Sequence, residues 1–227
     1  MSGAAPRSVD ARVGAIRRVG AAGTWIDLEM PGRFEAPRAG QFVQLACQPP
    51  GLFRLRRPFS ICAWRLGPEG STLGILFSVV GEGSRWLDQR KPGETVDVLG
   101  PLGRPFRPIP GRVPVLVAGG RGIAPLIFLA DQAGEALPDG ILLYGARDRS
   151  AIFPAEGCPY PVYRATLDGS IGHRGTVLDL LRDLLGHGAV RPEASALYAC
   201  GPLPMLTALA RIALDHAMPA QVSVETL

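Results

Sequence analysis

Residues 113–126 read Val-Pro-Val-Leu-Val-Ala-Gly-Gly-Arg-Gly-Ile-Ala-Pro-Leu, and their order sets the fold of the second half of the chain. A valine-rich apolar run reads as a strand buried on both faces. It ends in three glycines within four residues, and an apolar, helix-compatible run (Leu126 to Ala133) follows. Strand, glycine turn and helix in that order suit a dinucleotide pyrophosphate. Glycines let backbone N–H groups approach the phosphates, and a helix N-terminus adds about half a positive charge. The pattern is not G-x-G-x-x-G, because Pro125 stands where the third glycine would be. Glycine turns after strands are common, so the rest of the chain must decide.

The chain has 227 residues, 47% hydrophobic and 19% charged, enough for one large domain or two of about 100 residues with full cores. Lys91 is the only lysine, and the net charge of +4 is scattered, with no arginine-rich block or aromatic–basic platform. Nucleic acid is therefore not an expected partner. Met1 to Arg12 lacks an apolar signal core and no window approaches 18 apolar residues, which predicts neither secretion by a signal peptide nor a membrane span. Cys47, Cys62, Cys158 and Cys200 show no C-x-x-C spacing, so a reduced, cytoplasmic chain without a metal site is expected.

The composition changes once. From Arg12 to about Leu102, short strand-like runs recur, among them Gly23–Met30, Gln41–Ala46, Phe59–Trp64, Thr72–Val80 and Glu94–Leu99. The turns between them hold Pro31-Gly32, Pro49-Pro50-Gly51, Pro68-Glu69-Gly70 and Pro92-Gly93, which predicts an antiparallel barrel or sandwich. A link rich in proline and arginine, Arg104 to Pro114, follows. Strands at Val113–Ala118, Gly140–Gly145, Val162–Thr166, Ala196–Cys200 and Gln221–Val224 then alternate with helices at 124–135, 177–185 and 205–218. That alternation predicts a doubly wound parallel sheet. The expected architecture is a β-barrel over residues 1–107 followed by an α/β domain over 108–227.

Three further motifs carry chemistry. In Arg56-Arg57-Pro58-Phe59-Ser60-Ile61 an arginine fork suits a phosphate, and a serine three residues on can reach a heteroaromatic nitrogen. In Gly81-Glu82-Gly83-Ser84, Ser84 reads as the N-cap of a helix whose opening is a second anion seat. In Tyr198-Ala199-Cys200-Gly201-Pro202-Leu203-Pro204-Met205 a strand runs straight into a turn and helix. Each also has a plain structural reading: a solvated arginine turn, a capped hairpin exit, a buried core thiol.

Together these motifs resemble the ferredoxin–NADP reductase superfamily, in order along almost the whole chain. The flavin motif appears as Arg57-Pro58-Phe59-Ser60, the glycine turn as Gly119-Gly120-Arg121-Gly122-Ile123-Ala124-Pro125, and the Cys-Gly-Pro-x-x-Met element from Cys200 to Met205. Within that superfamily the chain is most similar to the electron-transfer subunits of two-subunit, NAD-linked dihydroorotate dehydrogenases. The likeness rests on the Arg-Pro-Phe-Ser-Ile form of the flavin motif, on Ala165-Thr166-Leu167-Asp168-Gly169-Ser170-Ile171-Gly172-His173-Arg174-Gly175, and on the ending Val222-Ser223-Val224-Glu225. Leu167 replaces an aspartate of that group's signature.

The resemblance implies an FAD-binding barrel and an NAD(P)-binding α/β domain that move electrons from NADH through FAD, lying between the domains, to a redox partner. That partner would be a dihydroorotate dehydrogenase catalytic subunit of pyrimidine biosynthesis. Arg57, Pro58, Phe59 and Ser60 would hold the flavin, with Ser60 near its N5, and the diphosphate would reach Gly83 and Ser84. Leu76, Phe77 and Ser78 would border the adenosine or ribityl portion. NAD(H) would lie over Gly119, Gly120, Gly122 and Ile123, with its nicotinamide near Cys200, Gly201 and Pro202; Cys200 and Ser60 are the candidate catalytic residues. The alternatives are a free-standing NAD(P)H–ferredoxin or flavodoxin reductase, or a flavin module without turnover of its own. A [2Fe–2S] cluster is expected in the dihydroorotate dehydrogenase group, on a cysteine-rich tail beyond the glutamate. Here the sequence ends at Leu227, so either a tail has been removed or this is a variant without the cluster. The four cysteines fall two in each half, far from the close spacing such a cluster needs. Iron and acid-labile sulfide analysis of residues 1–227 is expected to find neither; stoichiometric iron would overturn that reading.

Overall fold

The computed structural model describes residues 7–21, 23–48, 56–68, 70–133, 139–155 and 157–224. The expected turn at Pro49-Pro50-Gly51, Glu69, the end of the expected helix at Glu135, and Glu225 lie outside them. The chain divides into two compact units between Pro105 and Phe106.

In the first unit six antiparallel strands close a barrel in the order β1-β2-β5-β4-β3-β6. They are β1 (Arg7–Val19), β2 (Gly23–Met30), β3 (Phe42–Ala46), β4 (Arg56–Gly67), β5 (Gly70–Phe77) and β6 (Thr95–Leu102). Period-two alternation turns Val9, Ala11 and Val13 of β1 inward, together with Ile26, Leu28, Leu45, Ile61, Ile75 and Val98. Closure leaves no free sheet edge. The thirteen-residue β1 was not among the expected strands, because its outward positions carry Arg12, Arg17 and Arg18 and mask the inner face. β5 stops at Phe77, short of the expected Val80. The chain there leaves the sheet and enters a short helix, α1 (Glu82–Asp88).

That helix is tied to the barrel by charge. Asp88 accepts hydrogen bonds from the buried Thr24 Oγ1 at 2.5 Å and from Arg18 at 2.7 Å, while Arg18 also donates to Thr24 Oγ1 at 3.0 Å.

The second unit is a six-stranded parallel sheet in the order β10-β9-β8-β7-β11-β12. Its strands are β7 (Val113–Gly119), β8 (Ile141–Ala146), β9 (Val162–Thr166), β10 (His173–Arg174), β11 (Ser195–Cys200) and β12 (Ala220–Ser223), with helices α2 (Ile123–Ala133), α3 (Val177–Gly186) and α4 (Leu203–Asp215). Every residue of β11 is buried, as is all of β7 but Val113, as expected for strands covered on both faces. Val115, Val117, Leu143, Leu181, Leu197 and Leu209 centre the core. Thr176 caps α3 reciprocally with Asp179. α4 ends before the expected Met218: His216 caps it and Ala217 takes a positive φ of 51°. The link also joins this unit, since Phe106 packs edge-on against Tyr198 and the Ile109 N–H donates to the Tyr198 hydroxyl at 2.8 Å. Among the described residues no helix is long and apolar enough to cross a membrane.

The chain leaves β7 through one turn of 3-10 helix at Gly120–Gly122 and crosses the end of β11 at very close range. A Cβ placed on Gly122 would stand 2.1 Å from the Cys200 carbonyl oxygen, where no real Cβ fits. Backbone on both sides leaves no soft neighbour to yield. Gly122→Ala should therefore cost about 3 kcal/mol or more, read as a lower urea midpoint for the transition of this unit. A midpoint equal to wild type would show that the crossing opens freely.

Candidate functional site

Each unit carries a concave site among its described residues. In the barrel unit a cavity of about 310 Å³ is lined by Cys47, Gln48, Arg57, Glu82, Gly83, Arg85, Trp86 and Gln89. Its position follows from β4. Arg56 and Arg57 are adjacent on that strand, yet the structure gives them different work. Arg56 donates to both carboxylate oxygens of Asp97 at 2.8 Å, to Ser8 and to the Gln44 carbonyl. Arg57 is exposed and makes no ion pair among the described residues; its stem lies against α1, where a Cβ on Gly83 would come 3.3 Å from Arg57 Cγ and 3.1 Å from Cys47 Cβ. Glycine at 83 thus lets the guanidinium sit at the cavity wall. The neighbouring Cys47 thiol is buried; desolvation pushes it up to about 11 despite the Arg57 charge, so it faces the cavity protonated.

The rest of the expected flavin set gathers on the same unit. Phe59 meets Phe77 edge-on at 5.7 Å, and Ile61 pairs with Ile75, joining β4 to the Leu76-Phe77 segment. Ser60 pairs in register with Phe42. Leu76 and Phe77 are buried while Ser78 is half-buried, and Pro58 is exposed.

One expectation is corrected. Ser84 is not the N-cap of α1; Gly81 is. Ser84 is the third residue of the helix and buried, its hydroxyl accepting from the Val80 and Gly81 N–H groups and donating to the Gly81 carbonyl. A serine folded back to fix its own turn has no hydroxyl left for a ligand. A helix of seven residues also carries too little aligned dipole to be an anion seat by itself. The cationic side chains, Arg57 foremost, are what the cavity offers a phosphate.

In the α/β unit a second cavity of about 300 Å³ opens at the carboxyl ends of the strands, beside the point where the strand order reverses between β7 and β11. Open parallel sheets bind ligands there. Gly119, Gly120 and Pro202 line it, together with Gly145, Ala146, Arg147, Ala151, Leu167, Thr176, Val177 and Met205. Gly120 has φ +54° with open space where a Cβ would stand, so its backbone is bare toward the cavity. Gly119 and Gly201 are fixed by packing: Cβ atoms there would meet Met205 at 2.6 Å. Ile123 and Cys200 are buried, 0% and 1% exposed, and with Gly122 and Gly201 they stand behind the cavity lining rather than in it.

Sequence reasoning missed much of both walls. Leu167 was noted only as a departure; it is a 55%-exposed apolar side chain at the cavity rim. Arg147 is held by Asp148 at 2.7 Å. Hydrogen bonds from Ser150 and then Arg147 bring the Asp148 carboxyl down to about 2. Arg149 donates to the Ser170 carbonyl. The Leu167–Gly175 loop is built on Asp168, which accepts from Ser170 N and Oγ, and on Gly172, where a Cβ would strike the Arg164 carbonyl at 2.1 Å. His187 and His216 are helix C-caps, and His173 lies 3.4 Å from Asp183. None of the four cysteines is in a disulfide, and among the described residues no group of three His, Cys, Asp or Glu side chains is placed to hold a metal.

A closed antiparallel barrel followed by a parallel sheet with a glycine crossing at its switch point defines a ferredoxin-reductase-like oxidoreductase. The NADH-dependent reduced ferredoxin–NADP oxidoreductase of flavin-based electron bifurcation superposes with a TM-score of 0.79 at 25% identity, over 100% of this chain and 79% of its own. The ferredoxin reductase of carbazole 1,9a-dioxygenase gives 0.80 at 24% identity, over 96% and 69%. No family model matches. Curated relatives are more specific. The dihydroorotate dehydrogenase B (NAD(+)) electron transfer subunit of Desulforamulus reducens is 36% identical over 95% of this chain and 82% of its own length; that of Caldanaerobacter subterraneus subsp. tengcongensis is 34% identical over 95% and 81%. The chain belongs to the family of dihydroorotate dehydrogenase B electron transfer subunits.

Proposed function

We propose that this chain takes electrons from NADH and passes them through FAD to a dihydroorotate dehydrogenase catalytic subunit, as the names of its relatives imply. The observation that carries the reading is Arg57, an exposed guanidinium without a carboxylate partner among the described residues, beside a cavity of about 310 Å³ and next to an Arg56 committed to Asp97. An arginine left unpaired while its neighbour is paired is a phosphate donor in waiting. The residues fit FAD: Arg57 for the diphosphate; Pro58, Phe59 and Ser60 along β4 for the flavin; Leu76, Phe77 and Ser78 for the ribityl chain; and Gly83 clearing the wall, with Ser84 fixing the turn behind it. FAD, when bound, accepts two electrons together and can release them singly, which is why it joins a hydride donor to a one-electron path. The protein supplies position.

NADH is assigned to the cavity of the α/β unit, its pyrophosphate at the glycine crossing of Gly119, Gly120, Gly122 and Ile123, where Gly120 offers bare backbone, its nicotinamide end at Cys200, Gly201 and Pro202. The buried Cys200 thiol shapes that floor by packing and does not attack substrate. We assign no [2Fe–2S] ligands to the four cysteines.

Arg57→Ala is expected to weaken FAD binding by about 1.5–3 kcal/mol, the scale of a lost charge-assisted hydrogen bond, measured by equilibrium titration of flavin-free protein. Unchanged affinity would sink the assignment. Reduction of a dihydroorotate dehydrogenase catalytic subunit, compared with ferricyanide reduction by this chain alone, tests the partner.

Nucleotide choice follows from the arginines at the second cavity. With Arg147 neutralised by an ionised Asp148 and Arg149 committed to Ser170, neither is free for a 2′-phosphate. Stopped-flow reduction of bound flavin should run faster with NADH than with NADPH; a tenfold advantage for NADPH would overturn this.

A further inference from the structure

We propose that Trp86 is the stacking surface for the adenine of FAD and selects FAD over FMN, an inference that rests on the flavin reading above. Trp86 is half-buried and lines the barrel cavity together with Arg57, Gln48 and Gln89. Its ring is already held from one side: the Arg90 guanidinium lies 4.0 Å from the ring centroid. Arg90 is fixed in turn, donating to the Trp86 carbonyl at 3.0 Å and pairing with Glu94 at 3.2 Å. Trp86 lines the cavity and Arg90 does not, so the cation braces the ring from outside the space that a ligand would enter. A ring braced by a cation and bordering a cavity is a pre-oriented platform for a second flat π system.

The surroundings specify which one. The Arg57 guanidinium, in no ion pair among the described residues, provides a phosphate anchor in the same cavity, so the ligand is an aromatic group joined to a phosphate. Gln48 and Gln89 add amides that both donate and accept, the pairing that the amino group and N7 of adenine present along one edge. The other tryptophans do different work: Trp25 donates to Asp27 and lies under Arg17 and Arg65, and Trp64 packs near Phe34. FMN ends at its single phosphate and has nothing to lay on Trp86. The ratio of FAD to FMN affinity therefore reads this residue, whereas Arg57 acts on both flavins.

The test uses flavin-free full chain as wild type, Trp86→Ala and Trp86→Phe, each titrated with FAD, FMN and ADP, with circular dichroism to confirm folding. Trp86→Ala should weaken FAD and ADP by about tenfold to a hundredfold, the scale of one base–aromatic stack, and leave FMN within about twofold. Trp86→Phe should keep most of the FAD affinity yet lose the quenching of tryptophan fluorescence that ADP causes in wild type, a readout that survives if the alanine variant fails to fold. FAD affinity unchanged in a folded Trp86→Ala overturns the proposal. So does equal weakening of FAD and FMN, which would make Trp86 a prop for α1, and so does ADP quenching retained in Trp86→Phe. Wild type that binds neither flavin removes the flavin reading itself, and this subsite with it.

Discussion

The α/β unit is organised around a place where side chains are forbidden. β7 and β11 pair in parallel up to Ala118 and Cys200, and their chains then turn across one another. Gly122 lies against the Cys200 carbonyl, a Cβ on Gly201 would come 3.1 Å from the Gly119 backbone, and a Cβ on either Gly119 or Gly201 would strike Met205. Three glycines from two distant segments are needed because any Cβ would separate the crossing. The consequence is geometric: backbone forms the floor of the cavity at the switch point, and backbone N–H groups with no Cβ in front of them suit a diphosphate. Gly120, bare on the cavity side, serves the ligand, whereas Gly119, Gly122 and Gly201 serve the crossing that puts it there. The motif is as much a packing device as a binding device.

The barrel solves its problem with charge. α1 is too short to be stable alone and is held at one end by the Asp88–Thr24–Arg18 network and at the other by the Ser84 hydroxyl. Thr24 and Ser84 are two of the few buried polar residues of the chain, and both are spent on this helix. That expense has a use: α1 carries Gly83, Arg85 and Trp86 to the cavity wall opposite Arg57. Arg56, locked to Asp97, fixes the strand from which Arg57 projects. One arginine holds the scaffold so that the next stays available.

Patterns of period and punctuation were legible in the sequence; partnerships were not. The strands at Gly23–Met30 and Val162–Thr166 were read to the residue, since apolar runs between turn signals leave little choice. β1 escaped, because its arginines pair with acids on neighbouring strands, Arg12 with Glu29 and Arg18 with Asp88, and a strand dressed in charge reads as a solvated terminus. The two-residue β10 has no pattern to read. Ser84 was misplaced by three positions, because a glycine cap leaves no side chain to mark it and the nearest serine takes the role by default. Which of Arg56 and Arg57 meets a ligand depends on Asp97, some forty residues away, and no local reading supplies that. The cavity-lining roles of Trp86 and Leu167 likewise exist only once the chain is folded.

The two cavities differ in what they ask of a ligand. The barrel cavity has two guanidiniums, one carboxylate and two amides beside an indole, a surplus of positive charge that rewards an anionic ligand with flat aromatic surface and holds it for long times. The other is walled by alanine, valine, leucine, methionine, proline and glycine, its one arginine neutralised by Asp148. Few fixed charges and a bare backbone floor give orientation without great affinity, which suits a nucleotide that must arrive, react and leave at each turnover. A resident group belongs in the first and a passing substrate in the second, and the arginines that line the two cavities, without an ion pair among the described residues in the first and paired with Asp148 in the second, are the physical form of that division.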